Sequence, residues 1–470
     1  MQLEFFESKA VPIRTQIFEQ YCPETWNQVK TLAERLKRRR PDFRLIHITH
    51  PYRGTGVAEM LPYLGGMLQH LGISFQWWIA AAPLDFHTGV QSLLRALQGE
   101  SDPESLTSRD REMFSKIEGA ALAPLSPILK PGDAVVFHDP FTLPFLKAAL
   151  SITPLVLWRC HLGNEFKNAS TRLAWRFMQP YLDQPLFQYV FTRKNFAPDY
   201  ISADRLMTAH PVIHPYSWKN MELRRDDLEN LYQFMRGGKQ PVEIQDGPHL
   251  AKVSEKVNTT GSPPEHPEEY RILTQIGWWN AVKDPLGTFS VFAQHHERFP
   301  ENTLLFLVGP RLKDNPQNTE ALTIWHTLLE RYKSLPLKIQ QKIIFWRLPI
   351  HDRIQNALYV NTLQRLSSVI LQKSLQEGFG LTVTEGMWKS KAVIGSAVGG
   401  LQDQIIHEET GLLLKDPRNH EEAAQAIQRV LKDTELRNKL GRQAKTYVTQ
   451  HFLLPHLLEK YLNLFCSHLE

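Results

Sequence analysis

Residues 374–389 read Ser-Leu-Gln-Glu-Gly-Phe-Gly-Leu-Thr-Val-Thr-Glu-Gly-Met-Trp-Lys. Glu377 and Glu385 stand eight positions apart, a little over two helical turns, so on one continuous helix the two carboxylates would share a face. The glycines at 378 and 380 argue instead that Glu377 lies in a loop and Glu385 in the body of the helix that follows. In that arrangement the backbone N–H groups of Gly378, Phe379 and Gly380 project from a helix start. Free donors and the positive end of the helix dipole suit an anion such as a diphosphate. A carboxylate on either side can accept hydrogen bonds from sugar hydroxyls. The same spacing also fits an ordinary loop-to-helix junction with two solvated glutamates, and the surrounding chain decides between these readings.

Around this stretch, short apolar runs alternate with helical patterns. Strand candidates after residue 270 are Arg271–Ile276, Leu304–Val308, Ile343–Phe345, Val369–Leu371, Ala392–Gly395 and Gly411–Leu414. The same rhythm runs earlier, at Arg44–Ile48, Phe75–Ala80, Ala134–Phe137, Leu155–Trp158 and Tyr189–Thr192. Strands spaced by helices predict parallel sheets with helices on both faces. The expected fold is α/β, with two Rossmann-like doubly wound domains and an interdomain cleft between the carboxyl edges of their sheets, where open α/β sheets bind ligands. The expected division is 1–215 for the first domain, 216–270 for a linker, 271–445 for the second domain and 446–470 for terminal helices. Within the linker the polar, Pro- and Gly-bearing stretch from Phe234 to Glu269 reads as a long mobile loop.

A chain of 470 residues is too long for one ordinary core. A net charge of +5 does not suggest a nucleic-acid partner, and Lys37-Arg38-Arg39-Arg40 reads as the solvated end of a helix. Cys22, Cys160 and Cys466 are far apart, form no metal-ligand pattern and fit a reducing compartment. The amino terminus lacks the pattern of a signal peptide and no apolar run reaches 18 residues, so a cytoplasmic protein without a membrane span is expected. A homodimer is compatible with all of this.

Polar residues just past strand ends mark the expected cleft. Arg53-Gly54-Thr55-Gly56 follows a strand and opens a helix, either letting backbone approach a phosphate or sugar, or simply making a tight turn. His138-Asp139-Pro140 and Arg159-Cys160-His161 follow two further strands. His161 is placed to donate to a sugar hydroxyl, or is a satisfied structural histidine. Arg159 would bind an anionic or hydroxylated acceptor, or simply pair with Asp139. Lys283-Asp284-Pro285 follows Arg271–Ile276; its lysine either reaches a β-phosphate, a form of electrostatic stabilisation that often dominates catalysis, or sits at a helix start on the surface. Arg311 is a candidate second cation or a solvated loop residue.

Taken together, Gly54–Leu61, Asp85–Glu100, His138-Asp139-Pro140, Trp158-Arg159-Cys160-His161, Trp175-Arg176-Phe177, Lys283-Asp284-Pro285, Leu371–Ser374 and Glu377–Glu385 resemble the retaining glycosyltransferases of the GT-B fold (glycosyltransferase family 4, group 1), and more narrowly their trehalose synthase branch. The resemblance implies a retaining hexosyltransferase. Its partners would be a nucleotide-sugar donor and a small sugar or polyol acceptor, with no metal or other cofactor. It implies catalytic roles for Lys283, Glu377 and His161. The donor would be held by Gly54, Gly56, Gly378, Phe379, Gly380 and Glu385, and the acceptor by His138, Asp139 and Arg159. Four positions depart from the branch. Trp278 stands where relatives carry an arginine five residues before the lysine, Leu162-Gly163 where they have Ile-Asp, Gly-Thr-Gly where they have three glycines, and His214 where they have an aspartate. Loss of a charge-assisted contact at 278 would cost a diphosphate site on the order of 1.5–3 kcal/mol. The competing expectation is therefore a catalytically degenerate GT-B protein acting as a binding or regulatory module, with nucleotide-sugar binding without turnover or no binding at all.

Overall fold

A computed structural model of the chain describes residues 4–8, 11, 13–50, 56–100, 106–247, 249–316 and 318–468. It divides into two compact units, Met1–Val212 with Leu454–Glu470, and Ile213–Leu453. Among the described residues no helix is long and apolar enough to cross a membrane.

The first unit is built on a seven-stranded sheet of β1 (Glu4–Ser8), β2 (Arg44–Thr49), β3 (Ser74–Ala81), β4 (Ala134–His138), β5 (Val156–Cys160), β6 (Gln188–Phe191) and β7 (Leu206–Thr208), in the spatial order β1-β3-β2-β4-β5-β6-β7. All neighbours run parallel except β1, which lies antiparallel on β3. Side chains alternate between faces. Ile46, Ile48, Val135, Phe137, Val156 and Trp158 enter one core. The intervening Leu45, His47, Val136, Leu157 and Arg159 are also buried. Their cover includes the helix Leu454–His468, whose Leu454, Leu457, Leu458, Tyr461, Leu462 and Phe465 form a buried stripe at helical spacing. Tyr461 of this helix packs near His47, and Phe465 near Phe43.

The second unit repeats the plan. It has a small antiparallel hairpin of β8 (Val242–Asp246) and β9 (His249–Val253). Its seven-stranded sheet contains β10 (Asn258–Thr260), β11 (Arg271–Ile276), β12 (Thr303–Pro310), β13 (Ile343–Leu348), β14 (Val369–Gln372), β15 (Ala392–Ser396) and β16 (Leu412–Leu414), in the order β10-β13-β12-β11-β14-β15-β16. Only β10, on β13, is antiparallel in this sheet. Leu273, Leu305, Leu307 and Phe345 fill the core on one face, and Ile272, Leu304, Phe306 and Trp346 the core on the other. The order of strands reverses direction between β2 and β4 in the first sheet and between β11 and β14 in the second. These are the topological switch points, where crossovers leave on opposite faces and open a crevice at the carboxyl ends.

The stretch 216–270 is not a linker with a mobile loop. It contributes the helix Arg225–Met235, the β8–β9 hairpin and β10. Leu231, Tyr232, Phe234, Met235, Ile244, Ala251 and Val253 pack against Ile272, Phe306 and Trp346. The stretch reads as polar because the hairpin buries one face only: Ile244, Ala251 and Val253 point inward while Glu243, Gln245 and Lys252 are exposed. Such one-sided burial is the habit of antiparallel strands. The terminal segment also differs from expectation: the helix Thr434–His451 stays with the second unit, and Leu454–His468 belongs to the first.

Candidate functional site

At the second switch point, two loops are clasped together. After β11, Asn280 caps a single turn, its Oδ1 accepting from the Lys283 amide at 3.0 Å. Asp284 then takes a left-handed conformation (φ 48°, ψ 51°) and caps the helix Pro285–His295, accepting from the Gly287 amide at 3.0 Å. That backbone is costly for a residue with a Cβ, and an ion pair with the ammonium of Lys373, a fully buried side chain just past β14, holds it. The Leu375 amide donates to the Val282 carbonyl at 2.7 Å. Beside these contacts the Lys283 ammonium pairs with Glu377. Glu377 Oε2 also accepts from the Ser374 hydroxyl at 3.1 Å and the Gln372 amide at 3.3 Å. The sequence placed Lys283 and Glu377 in one site, and the structure brings them into contact.

The glycines between the two glutamates serve close packing as well as donor exposure. Gly380 is left-handed (φ 92°) and precedes the helix Leu381–Trp388. A Cβ on Gly399 would lie 1.7 Å from the Glu377 carbonyl oxygen, and one on Gly400 would lie 2.5 Å from the Phe379 Cα. The Gly399-Gly400 pair therefore lets the 377–380 turn lie directly against it. The Phe379 carbonyl accepts from Gln404, and its ring is buried. The amides of Gly378 and Gly380 have no acceptor among the described residues.

Glu385 is 3% exposed in the helix body. Gln364 Nε2 lies 3.2 Å from its Oε2 and Lys219 Nζ 3.6 Å from its Oε1. One turn on, the Lys389 ammonium donates to Gln364 Oε1 (2.8 Å), Asn220 Oδ1 (3.2 Å) and the Glu385 carbonyl (3.3 Å). Burial holds this lysine well below the ordinary lysine range. Sequence reading missed Lys219, Gln364 and Lys389. Only Lys389 carried a local signal, its i,i+4 spacing from Glu385. Arg311 is neither a spare cation nor solvated: it is buried and paired with Glu255 and Asp314.

The first switch point is built differently. Gly54 lies outside the described residues, as do Arg53 and Thr55; Gly56 begins the helix Gly56–His70. His47 Nδ1 lies 2.8 Å from His138 Nε2, and His138 Nδ1 lies 2.9 Å from His161 Nε2. The His161 amide donates to Asp139 Oδ1 at 2.7 Å. Burial pushes all three imidazoles down, His47 to about 3 and the others well below the usual range, and the Arg159 charge adds to the shift.

Within the expected acceptor-binding set of His138, Asp139 and Arg159, the placement of His138 and Arg159 needs correction. His138 and Arg159 are fully buried and Asp139 is 3% exposed. Both ring nitrogens of His138 are committed to histidines. Arg159 donates to the Tyr461 hydroxyl (3.0 Å) and the Ala209 carbonyl (3.3 Å), and does not pair with Asp139. β4 and β5 run one and two residues beyond the ends expected from apolarity, so His138 and Arg159 belong to the strands instead of the loops. Arg159 thereby falls on the face that the helix Leu454–His468 covers. His161, the first residue past β5, keeps 8% of its surface exposed.

Residues 47–198 match the family model described as trehalose synthase, N-terminal domain, and residues 261–447 match glycosyl transferases group 1. The chain is 30% identical over 448 residues to a trehalose synthase of Rubrobacter xylanophilus, covering 94% of each chain. It is 28% identical over 446 residues to that of Pyrococcus horikoshii, again covering 94% of each. Among solved structures, one described as trehalose-6-phosphate from E. coli bound with UDP-2-fluoro glucose shares the fold, with a TM-score of 0.66 at 13% identity over 89% of this chain and 98% of that one.

Proposed function

The chain belongs to the trehalose synthase family of glycosyltransferases and has the GT-B fold, and from that premise we propose that it is a retaining hexosyltransferase. It moves a hexose, glucose in our reading, from a nucleoside diphosphate to a small sugar or polyol acceptor. The names of its relatives and the UDP-2-fluoro glucose of the structural neighbour support a nucleotide-glucose donor.

The observation that carries this reading is the Lys283–Glu377 ion pair at the second switch point. A donor diphosphate competes with Glu377 for the lysine ammonium. When Lys283 turns to the phosphates, Glu377 remains anchored by Ser374 and Gln372, and its carboxylate is free to accept from sugar hydroxyls. The amides of Gly378 and Gly380 add donors at the positive end of a helix. Glu385 accepts from the ribose. By the family resemblance, donor binding is also assigned to Gly54 and Gly56, and contact with the transferred sugar to His161. The acceptor oxygen bonds to the anomeric carbon on the face from which the diphosphate departs. The carbon–oxygen bond to the β-phosphate breaks with its electron pair on the phosphate, and that phosphate takes the acceptor's proton. Lys283 stabilises the charge that develops there, and the scheme assigns no step to a metal.

The test is incubation with UDP-, ADP- or GDP-glucose and free glucose, with the product's anomeric configuration read by NMR. A disaccharide retaining the donor configuration is expected. The absence of both transfer and hydrolysis with every donor would overturn the proposal.

A further inference from the structure

The row of buried histidines in the first unit has a direction. A neutral imidazole carries one N–H and one lone pair, so each hydrogen bond in the chain His47–His138–His161 fixes the next, and only two tautomer patterns run through it without a clash. They differ at the far end. Among the described residues, His47 Nε2 is buried without a hydrogen-bond partner. In one pattern it carries a proton, leaving an orphaned buried N–H; in the other it carries only a lone pair. Orphaned buried donors are the rarer case in proteins. That consideration selects one pattern. His47 donates from Nδ1 to His138 Nε2, and His138 donates from Nδ1 to His161 Nε2. The proton of His161 is then left on Nδ1, the one ring nitrogen not engaged by the chain.

We propose that His47 and His138 are positioning residues that lock His161 in the Nδ1–H tautomer, so that it meets the transferred sugar as a hydrogen-bond donor. This rests on the role proposed above for His161. An imidazole free in water is under no such constraint. Here the choice is made by a residue two hydrogen bonds and two strands away. Arg159 and Asp139 are the charged groups around the chain, with His50 bearing on His138 and Lys460 on Arg159. A positioned donor at neutral pH needs no titration of His161, and its surroundings oppose one.

The experiment is a long-range proton–nitrogen correlation spectrum of the full chain labelled with [15N]histidine, His161 being assigned by its loss in His161→Gln. A protonated Nδ1 and a bare Nε2 are expected at His161 at neutral pH; a protonated Nε2 there overturns the proposal. Because the spectrum is taken without substrate, that result leaves sugar transfer standing. Conversely, absence of transfer with the expected spectrum overturns only the proposed function. A second measurement separates positioning from packing. His138→Asn can place an amide N–H where Nδ1 was and should keep the rate within about threefold, whereas His138→Leu removes the donor and should lower kcat by about tenfold. Equal losses in the two variants, or no loss in either, overturn the relay, and the wild-type spectrum decides the matter where a variant fails to fold.

Discussion

The two sheets place polar side chains at their switch points in opposite ways. In the second unit the crevice residues are charged and paired across two loops, Lys283 with Glu377 and Asp284 with Lys373. In the first unit they are neutral imidazoles running across neighbouring strands, with the cation beneath them, Arg159, donating to a phenol and a carbonyl while its Nε has no partner among the described residues. An ion pair at a crevice can be opened by a competing anion. A buried neutral chain cannot exchange partners without leaving donors unsatisfied. The difference suits one unit to gripping a charged leaving group and the other to presenting a fixed hydrogen-bonding face.

The hardest test of the charged side is Lys283→Ala. If the lysine meets the departing diphosphate, kcat/KM for transfer should fall by about 10²–10³, the usual range for removing an electrostatic stabiliser. The Tm should move little, because Glu377 retains Ser374 and Gln372. A variant with full activity would break the contrast between the units.

Acid tests the neutral side. The imidazoles of His47, His138 and His161 are pushed below their unfolded value, near 6.5. Their stabilising contribution is therefore complete above that value and is lost as pH falls from 6.5 towards the folded value, about 3 for His47. By pH 5 each such histidine has cost about 2 kcal/mol, since the unfolded chain binds the extra proton. His214 is the corresponding buried histidine of the second unit. With three against one, amide exchange measured from pH 7 to 5 should show the first unit opening more steeply. Parallel loss of protection in both units would show that the chain is not the acid-labile element.

How much of this contrast could be read from the residues alone depends on the range of the interactions involved. The Glu377–Glu385 block and Lys283 were legible because a glycine turn, a helix start and a lysine after a strand are local patterns. The clasp between Lys373 and Asp284 was not, since it depends on β11 and β14 being neighbours although far apart in sequence. His47 looked like an interior strand residue, and its meaning comes from its register against β4. The error at His138 and Arg159 has the same root. Apolarity ended each strand where the polar residues began, but the helix Leu454–His468 buries that face and allows the strands to continue. A cover arriving from some 300 positions away leaves no mark near Arg159.

A gain of function can sharpen the charged side. The family resemblance implies an arginine at the position of Trp278, and Arg311 is committed to Glu255 and Asp314. Trp278 is only partly buried, so Trp278→Arg can be accommodated there. It should tighten nucleotide-sugar binding by about tenfold, the value of one charge-assisted hydrogen bond. Calorimetry with the donor reads this directly. Unchanged affinity would mean that the diphosphate does not lie beside residue 278.

The smallest expected effect lies at the edge of the charged network. Lys219 is 3.6 Å from Glu385, too far for a tight hydrogen bond and close enough for Coulomb attraction. Gln364 binds the other oxygen of Glu385, and Lys389 in turn holds Gln364, so the carboxylate is oriented even without Lys219. Lys219→Met should then weaken donor binding only through the ribose, raising its KM by about two- to fivefold. Because the ribose contact is made equally before and during transfer, kcat should stay the same. A fall in kcat instead would put Lys219 in contact with the reacting sugar or its phosphate. The grip on the leaving group would then extend beyond the Lys283–Glu377 pair.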